Sequence, residues 1–325
     1  MIHAAIVGLG RWGQRLVSSI QGKSDKLTFV RGMVRDPDKV RDFAIEHDFS
    51  LSANFADVLS DRRVQAVVLA TPHSLHVEQI AAAARAGKAV HCEKPLALTR
   101  ADALRAVSAC EKAGVLLGVG HDKRYLASMQ GLARVVAGGE LGQILHIEGN
   151  SSNEVSLTHY APWRGSETEA PGLSMTATGV HIVDAFVNLI GPVRRVQAQA
   201  MSHQPVPGPI DTVSVLFEFA NQATGVLTSV RPTPYFWRVH VFGTSGSAEA
   251  IGETDLVVRL SGQKPQHLTF EPVDTVRTAL ELFADALSGR ATYPMSPAQI
   301  VATIAAFEAA NKAIETGAPV VVDSQ

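Results

Sequence analysis

The chain has 325 residues, 46% of them apolar and 18% charged, with a formal charge of −2 and a pI near 6.6. That balance excludes a disordered chain, and without a basic field or a Lys/Arg-rich block there is little to hold nucleic acid. The length exceeds what one hydrophobic core serves, so two domains are expected.

Cys92 and Cys110 lack C-x-x-C spacing and the density of a secreted framework, which fits a reduced, cytoplasmic protein without structural zinc. The opening MIHAAIVGLGRWG has no basic start, long apolar core or small-residue cleavage site, and it reads as a first strand. No apolar run approaches the roughly 20 residues of a membrane helix.

Up to about residue 120, β-rich runs alternate with helical patterns. Strands are expected at 3–8, 27–34, 65–70, 89–92 and 115–119, and helices at 11–20, 38–47, 55–60, 73–86 and 100–113. Near-continuous apolar strands separated by helices specify a parallel sheet covered on both faces. Thr99 and Asp102 form the start signal of the last of these helices, and Gly114 its stop.

Past residue 122 the rhythm becomes period two, in runs such as ILHIEGNSS, TVSVLFEF and RVHVFGT. This predicts a mostly antiparallel sheet with one packed face and one face open to helices or a partner subunit. Helices are expected at 124–137, 175–190, 274–288 and 296–316. The fold class is therefore α/β: an N-terminal Rossmann doubly wound parallel sheet over 1–121, then a C-terminal α+β domain with an open, mostly antiparallel sheet over 122–325. No floppy linker marks the change at GHDKR, so close packing around a cleft is expected.

Gly8, Gly10 and Gly13 in GLGRWG have G-x-G-x-x-G spacing between a predicted strand and a helix, the context that makes the pattern a phosphate site. Gly8 permits the tight turn, Gly10 lets a pyrophosphate approach the backbone, and Gly13 lets helix and strand pack closely. Arg11 and Trp12, inside the loop, are counted with its cofactor-binding residues. At the end of the second strand an acid would favour NAD and an arginine NADP. The chain reads VRDPDK: Arg35 leans the cofactor to NADP, Asp36 keeps NAD open, and dual use is a third possibility.

Parallel strands all point their C-terminal ends to one edge, where ligands bind. ATPHSLH (70–76) and VHCEKPLALT (90–99) both leave strands there, so Thr71, Pro72, His76, Glu93 and Lys94 are aimed at a bound dinucleotide. Cys92 reads as a buried strand residue, and the histidines show no metal-ligand spacing.

At this point the chain resembles the glucose–fructose oxidoreductase, inositol dehydrogenase and MocA group. The segments that carry the resemblance are GLGRWG, ATPHSLH, AGKAVHCEKPLA (86–97) and GVHIVD (179–184), with weaker support from GELG (139–142) and FGTSGSAE (242–249). The resemblance implies a Rossmann domain followed by an open α/β domain whose sheet often builds dimers or tetramers. It also implies NAD(P)-dependent oxidation of a secondary alcohol on a sugar or cyclitol, or the reverse reduction. The family lysine falls on Lys94, beside the nicotinamide and touching the reacting hydroxyl, the preceding acid on Glu93, and the proline, often after a cis bond, on Pro95.

Lys94 suits a proton-accepting role because burial and a cationic nicotinamide both disfavour its charged form. Helical spacing puts Ala177, His181, Asp184 and Asn188 on one stripe, with Ile182, Phe186 and Leu189 opposite. The match makes His181 catalytic and Asp184 substrate-binding. Many family members carry an aspartate where this chain has Ala177, which leaves three readings: the substrate is gripped otherwise, as by Asp184, the Lys94–His181 pair carries the proton unaided, or catalysis is weak or lost.

Arg124, beside Lys123, either meets substrate or forms a structural salt bridge. His159, Tyr160, Trp163 and Arg164 either carry specificity or only pack their loop; Trp163 and Arg164 are counted as substrate-binding. The leading reading is an NAD(P)-dependent dehydrogenase of CH–OH groups on sugars, cyclitols or related polyols, cytoplasmic and homo-oligomeric through its C-terminal sheet. The alternatives are a dinucleotide-binding regulator with little turnover and a dehydrogenase of a cyclic or aromatic diol.

Overall fold

Strand β1 (Ile2–Val7) carries Ala4, Ala5, Ile6 and Val7 at zero exposure, and β4 (Ala66–Leu69) is buried at all four positions. Strands without polar alternation need cover on both faces, and each buried Val, Leu or Ile contributes roughly 1.5–3 kcal/mol of transfer free energy. With β2 (Leu27–Met33), β3 (Ser50–Ser52), β5 (Ala89–Cys92) and β6 (Leu117–Val119) they form a six-stranded sheet in the order β3-β2-β1-β4-β5-β6. Every pair is parallel. The winding reverses between β1 and β4, which is where such a sheet opens a crevice.

This computed structural model describes residues 1–154, 166, 168–203 and 210–322. It divides into two units: Met1–Asp122 with Asp274–Val301, and Lys123–Val273 with Ala302–Gln325.

Helices α1 (Arg11–Ile20), α2 (Arg41–Glu46), α3 (Phe55–Ser60), α4 (His76–Arg85) and α5 (Arg100–Ala113) connect the first sheet. The α5 signals act as expected: the Thr99 hydroxyl accepts the Asp102 N–H at 3.2 Å, and Gly114 closes the helix at φ 65°. Two expected helices begin instead as 3₁₀ turns, Pro37–Val40 before α2 and His73–Leu75 before α4. Strand β3 is too short, at three residues, for its periodicity to be read from sequence.

In the second unit, β7 (Ile144–Ser152), β8 (Val193–Met201), β9 (Thr212–Phe219), β10 (Thr224–Val230), β11 (Phe236–Gly243), β12 (Gly246–Ile251), β13 (Asp255–Leu260), β14 (Gln266–Thr269) and β15 (Val320–Val321) form one sheet. Its order is β14-β13-β12-β11-β7-β10-β9-β8-β15, and only β10 and β7 pair in parallel. Helices α6 (Ala127–Ala137) and α7 (Val180–Leu189) belong to this unit.

Gly149 of β7 explains how closely α7 lies on the sheet: a Cβ there would come within 2.3 Å of Ile182 Cγ2. The opposite sheet face is open. Leu216 and Met201 are 54% and 57% exposed on it, beside an ion network in which Arg238 reaches Glu148 and Arg259 reaches Glu249, at 2.9 and 3.1 Å.

Two helices follow β14, α8 (Thr275–Leu287) and α9 (Pro297–Thr316). Residues 274–301 return to the first unit, a return that a single cut after residue 121 does not anticipate. Phe283 packs edge-on against His91 of β5 at 5.4 Å, the Tyr293 hydroxyl accepts the Val119 N–H at 3.0 Å, and Lys26 pairs with Asp285 at 2.7 Å. Periodicity identifies α8 as amphipathic but does not say which sheet its apolar face will meet. Among the described residues no helix is long and apolar enough to cross a membrane.

Candidate active site

The strand exits of the first unit step up to one edge. The Gly8 N–H reaches Met33 O, Ala70 reaches Val7 O, Glu93 reaches Leu69 O and Gly120 reaches Cys92 O, all at 2.8–2.9 Å. This ladder brings the glycine turn, Thr71–Pro72, Glu93–Pro95 and Gly120–Asp122 to neighbouring positions.

The three glycines divide the work as their spacing implies. Gly8 has φ +95°, and a Cβ there would stand 2.5 Å from Ala70 O; at Gly13 it would stand 1.9 Å from Gly8 O. A Cβ on Gly10 would meet nothing of the protein within 4 Å. It would fill the cradle over the N-terminus of α1, where the N-cap residue Gly10 offers no side-chain cap to the first N–H groups. A closely approaching backbone with available donors fits a dinucleotide pyrophosphate. Arg11 and Trp12 are exposed on this turn.

At the end of β2, Arg35 is exposed and makes no ion pair with the described residues, whereas Asp36 pairs with Lys39 at 3.2 Å. The Thr71 hydroxyl donates to Gln79 Oε1 at 2.6 Å, and Pro72 precedes the turn into α4. His76 is fully buried, with Nε2 3.0 Å from Thr71 O and Nδ1 3.0 Å from Pro95 O. Its ring faces the protein backbone at both nitrogens.

Lys94 is half-buried, and the Lys94–Pro95 peptide is cis. Glu93 is buried, its carboxylate lying where a Cβ on Gly120 would meet Oε1 at 2.6 Å. Burial pushes its pKa up to about 7, and the nearby Asp122 carboxylate adds to the rise. The Trp12 indole, the Lys94 charge and the Lys94 N–H oppose it. Asp122 in turn accepts from the Thr275 hydroxyl at 3.2 Å. The Trp12–Glu93–Asp122–Thr275 arrangement was not legible beforehand, because these residues come from four separate parts of the chain.

A carboxyl raised in the folded state contributes stability that is fully present below the ordinary value near 4.5 and lost as pH rises through about 7. Glu93→Gln should therefore gain on the wild type between pH 5 and pH 8, by up to roughly 3 kcal/mol. Urea unfolding at the two pH values measures it; an equal gap at both would contradict the account.

In the second unit His181 and Asp184 lie on α7, where every residue from Val180 to Val187 is buried. The helix is thus enclosed all round rather than split into polar and apolar sides. Its first turn is a π-turn over Met175–Gly179. A π-turn holds about one residue more than an α-turn, so Ala177 does not keep the α-helical phase to His181 that simple periodicity assigns. The Ser229 hydroxyl, 2.8 Å from that of Ser174 and 2.6 Å from that of Thr178, ties the π-turn to β10.

Arg124 and Asp184 are brought together, but on each other. Nε and one terminal nitrogen of the guanidinium donate to the two carboxylate oxygens at 2.8 Å each, with both side chains at most 4% exposed. The salt bridge that was one of the two readings of Arg124 is thus formed with Asp184. Trp163, Arg164, His159 and Tyr160 lie outside the described residues.

The model of an oxidoreductase family with an NAD-binding Rossmann fold, GFO_IDH_MocA, matches residues 2–121, and that of the GFO/IDH/MocA C-terminal domain matches 129–249. A 1,5-anhydro-D-fructose reductase of Ensifer adhaerens is 31% identical over 80% of this chain and 80% of its own. The chain belongs to the GFO/IDH/MocA oxidoreductase family. A myo-inositol 2-dehydrogenase of Thermotoga maritima is 27% identical, covering 79% of this chain and 78% of its own. The crystal structure of an oxidoreductase from Desulfitobacterium hafniense superposes with a TM-score of 0.89, at 26% identity, over 99% of this chain and 97% of its own. The expected family and both fold classes are borne out.

Proposed function

We propose that this GFO/IDH/MocA oxidoreductase interconverts a secondary alcohol and its ketone on a sugar, cyclitol or related polyol, using NAD(P). The observation that carries the reading is the meeting of the glycine turn, Thr71–Pro72 and the Lys94 turn at one sheet edge. The relatives support the substrate class, since one is named a reductase of an anhydro sugar and another a dehydrogenase of a cyclitol. These are the two directions of one chemistry.

Gly8, Gly10, Gly13 and the N-terminus of α1 would hold the pyrophosphate. A nicotinamide held there would supply hydride exchange with the carbon that bears the hydroxyl. Lys94 takes the hydroxyl proton during oxidation and returns it during reduction, and His181 orients the carbinol or shares that proton. Glu93 and Trp12 hold the Lys94 turn against the glycine turn. Arg124 fixes Asp184, one turn along α7 from His181, so this pair positions rather than touches substrate. A second copy of the chain would cover the open sheet face through Met201 and Leu216. Two free, buried cysteines fit a cytoplasmic setting.

Arg35 supports NADP, because its guanidinium can accept a 2′-phosphate while Asp36 is engaged by Lys39. Arg35→Ala should weaken NADP about tenfold and leave NAD nearly unchanged in fluorescence titrations. Equal losses would remove the preference.

The reading itself is tested by reduced-nicotinamide absorbance on mixing protein, NAD or NADP, and a panel of polyols, aldoses, cyclitols and cyclic diols. Turnover of a polyhydroxylated substrate is the expected result. Tight cofactor binding with silence across the panel would favour a dinucleotide-binding regulator.

A further inference from the structure

His76 occupies a setting that an ordinary neutral histidine does not satisfy. Its side chain is completely buried at the start of α4. Nδ1 lies 3.0 Å from Pro95 O and 3.3 Å from Leu96 O, and Nε2 lies 3.0 Å from Thr71 O. These three atoms are carbonyl oxygens, which only accept hydrogen bonds. A neutral imidazole carries one N–H and one lone pair, so one of its nitrogens would press a lone pair against a carbonyl lone pair. An imidazolium donates at both.

We infer that His76 is held as an imidazolium, a buried cation that clamps the Lys94–Pro95 turn to the exit of β4. His91 in the same sheet shows what burial does alone. Its ring nitrogens have no hydrogen-bond partner among the described residues, and burial pushes its pKa down to about 4. His76 meets the same desolvation but faces carbonyl dipoles at both ends, and hydrogen bonds from a charged donor are about twice as strong as neutral ones. The interaction works on both sides of the turn: Thr71 follows β4, Pro95 and Leu96 follow β5, and the ring fixes their separation.

Titratable and charged groups lie on the elements around it, Arg85, Glu111 and Lys112 at the far ends of α4 and α5. His73 stands edge-on at 5.7 Å. Glu93 and Lys94 lie on the clamped turn. On α4 and α5, Arg105 is paired with Glu78 and Asp102 at the surface, and Arg100 begins α5. A fixed cation behind the turn disfavours a second charge on Lys94 and so favours its proton-accepting form. That consequence rests on the proposed role of Lys94, whereas the protonation of His76 does not.

The test is nitrogen-15 NMR of histidine-labelled, full-length protein at pH 8. Histidines of ordinary pKa, near 6.5, are then almost wholly neutral. The expected result is one ring, among the twelve histidines of the chain, with both nitrogens protonated, both protons protected from exchange, and through-space contacts to Thr71 and Pro95. That signal disappears in His76→Gln. If the variant does not fold, the contacts in the wild type still assign the ring. A His76 ring with one bare nitrogen at pH 8 would overturn the inference, and because no turnover is measured, that outcome would leave the proposed reaction untouched.

Discussion

Lys94→Ala is expected to lower turnover by about a thousandfold or more while changing cofactor affinity by less than about threefold. Positioned proton transfer contributes roughly 10²–10⁴-fold, and no neighbouring group on the same turn can replace the amine. Glu93 is buried and held by Trp12 and the Lys94 N–H. Cofactor binding is expected to survive because, on the proposed reading, the glycine turn and α1 hold its phosphates, and these do not depend on the Lys94 side chain. Steady-state rates on any substrate found in the polyol panel, with cofactor titration by fluorescence, measure both halves. Full activity in the variant would refute the proton route. Loss of cofactor binding alone would show that the residue serves only as a cofactor contact.

Asp184→Ala is expected to destabilise the protein by about 3–5 kcal/mol, a large share of the roughly 5–15 kcal/mol that holds a typical domain. The reason is not the worth of the ion pair. It is that removing the carboxylate takes the bidentate partner from a guanidinium that is 4% exposed. Desolvation costs were already met in forming the pair, so an apolar replacement of both partners behaves differently. Arg124→Met with Asp184→Leu should lie near the wild type in stability, far from the sum of the single variants. Urea unfolding followed by circular dichroism measures the three. Asp184→Ala at wild-type stability would show that the pair is solvated in solution, and an additive double variant would show that the two side chains are not coupled.

How much of this was legible in the sequence differs between the two units. In the first, the chemistry is local. Gly8, Gly10 and Gly13 do what their spacing implies because a tight turn, an open approach and a close helix contact are each set by a few neighbouring atoms. Thr99 and Gly114 end α5 where their capping chemistry says they should.

In the second unit the sequence signal is mediated by contacts it cannot see. Asp184 reads as a polar residue on a cleft-facing stripe, and in the fold it lies in a buried run of α7, Val180–Val187, and pairs with Arg124, 60 residues away. The π-turn at Met175–Gly179 shifts the helical phase that the Ala177 argument assumes. His76 lies between these cases. Its position near the cofactor edge is legible from ATPHSLH, but the carbonyls that surround its ring come from Pro95 and Leu96 and only the fold supplies them.

The central claim is direct transfer of a hydride between a carbinol carbon and the nicotinamide. It is tested most directly by running the reaction with a polyol deuterated at its carbinol carbons and weighing the reduced cofactor by mass spectrometry. The account predicts one deuterium gained per cofactor reduced, in unlabelled water. Reduced cofactor carrying no deuterium, or no reduced cofactor from any polyol in the panel, would contradict it.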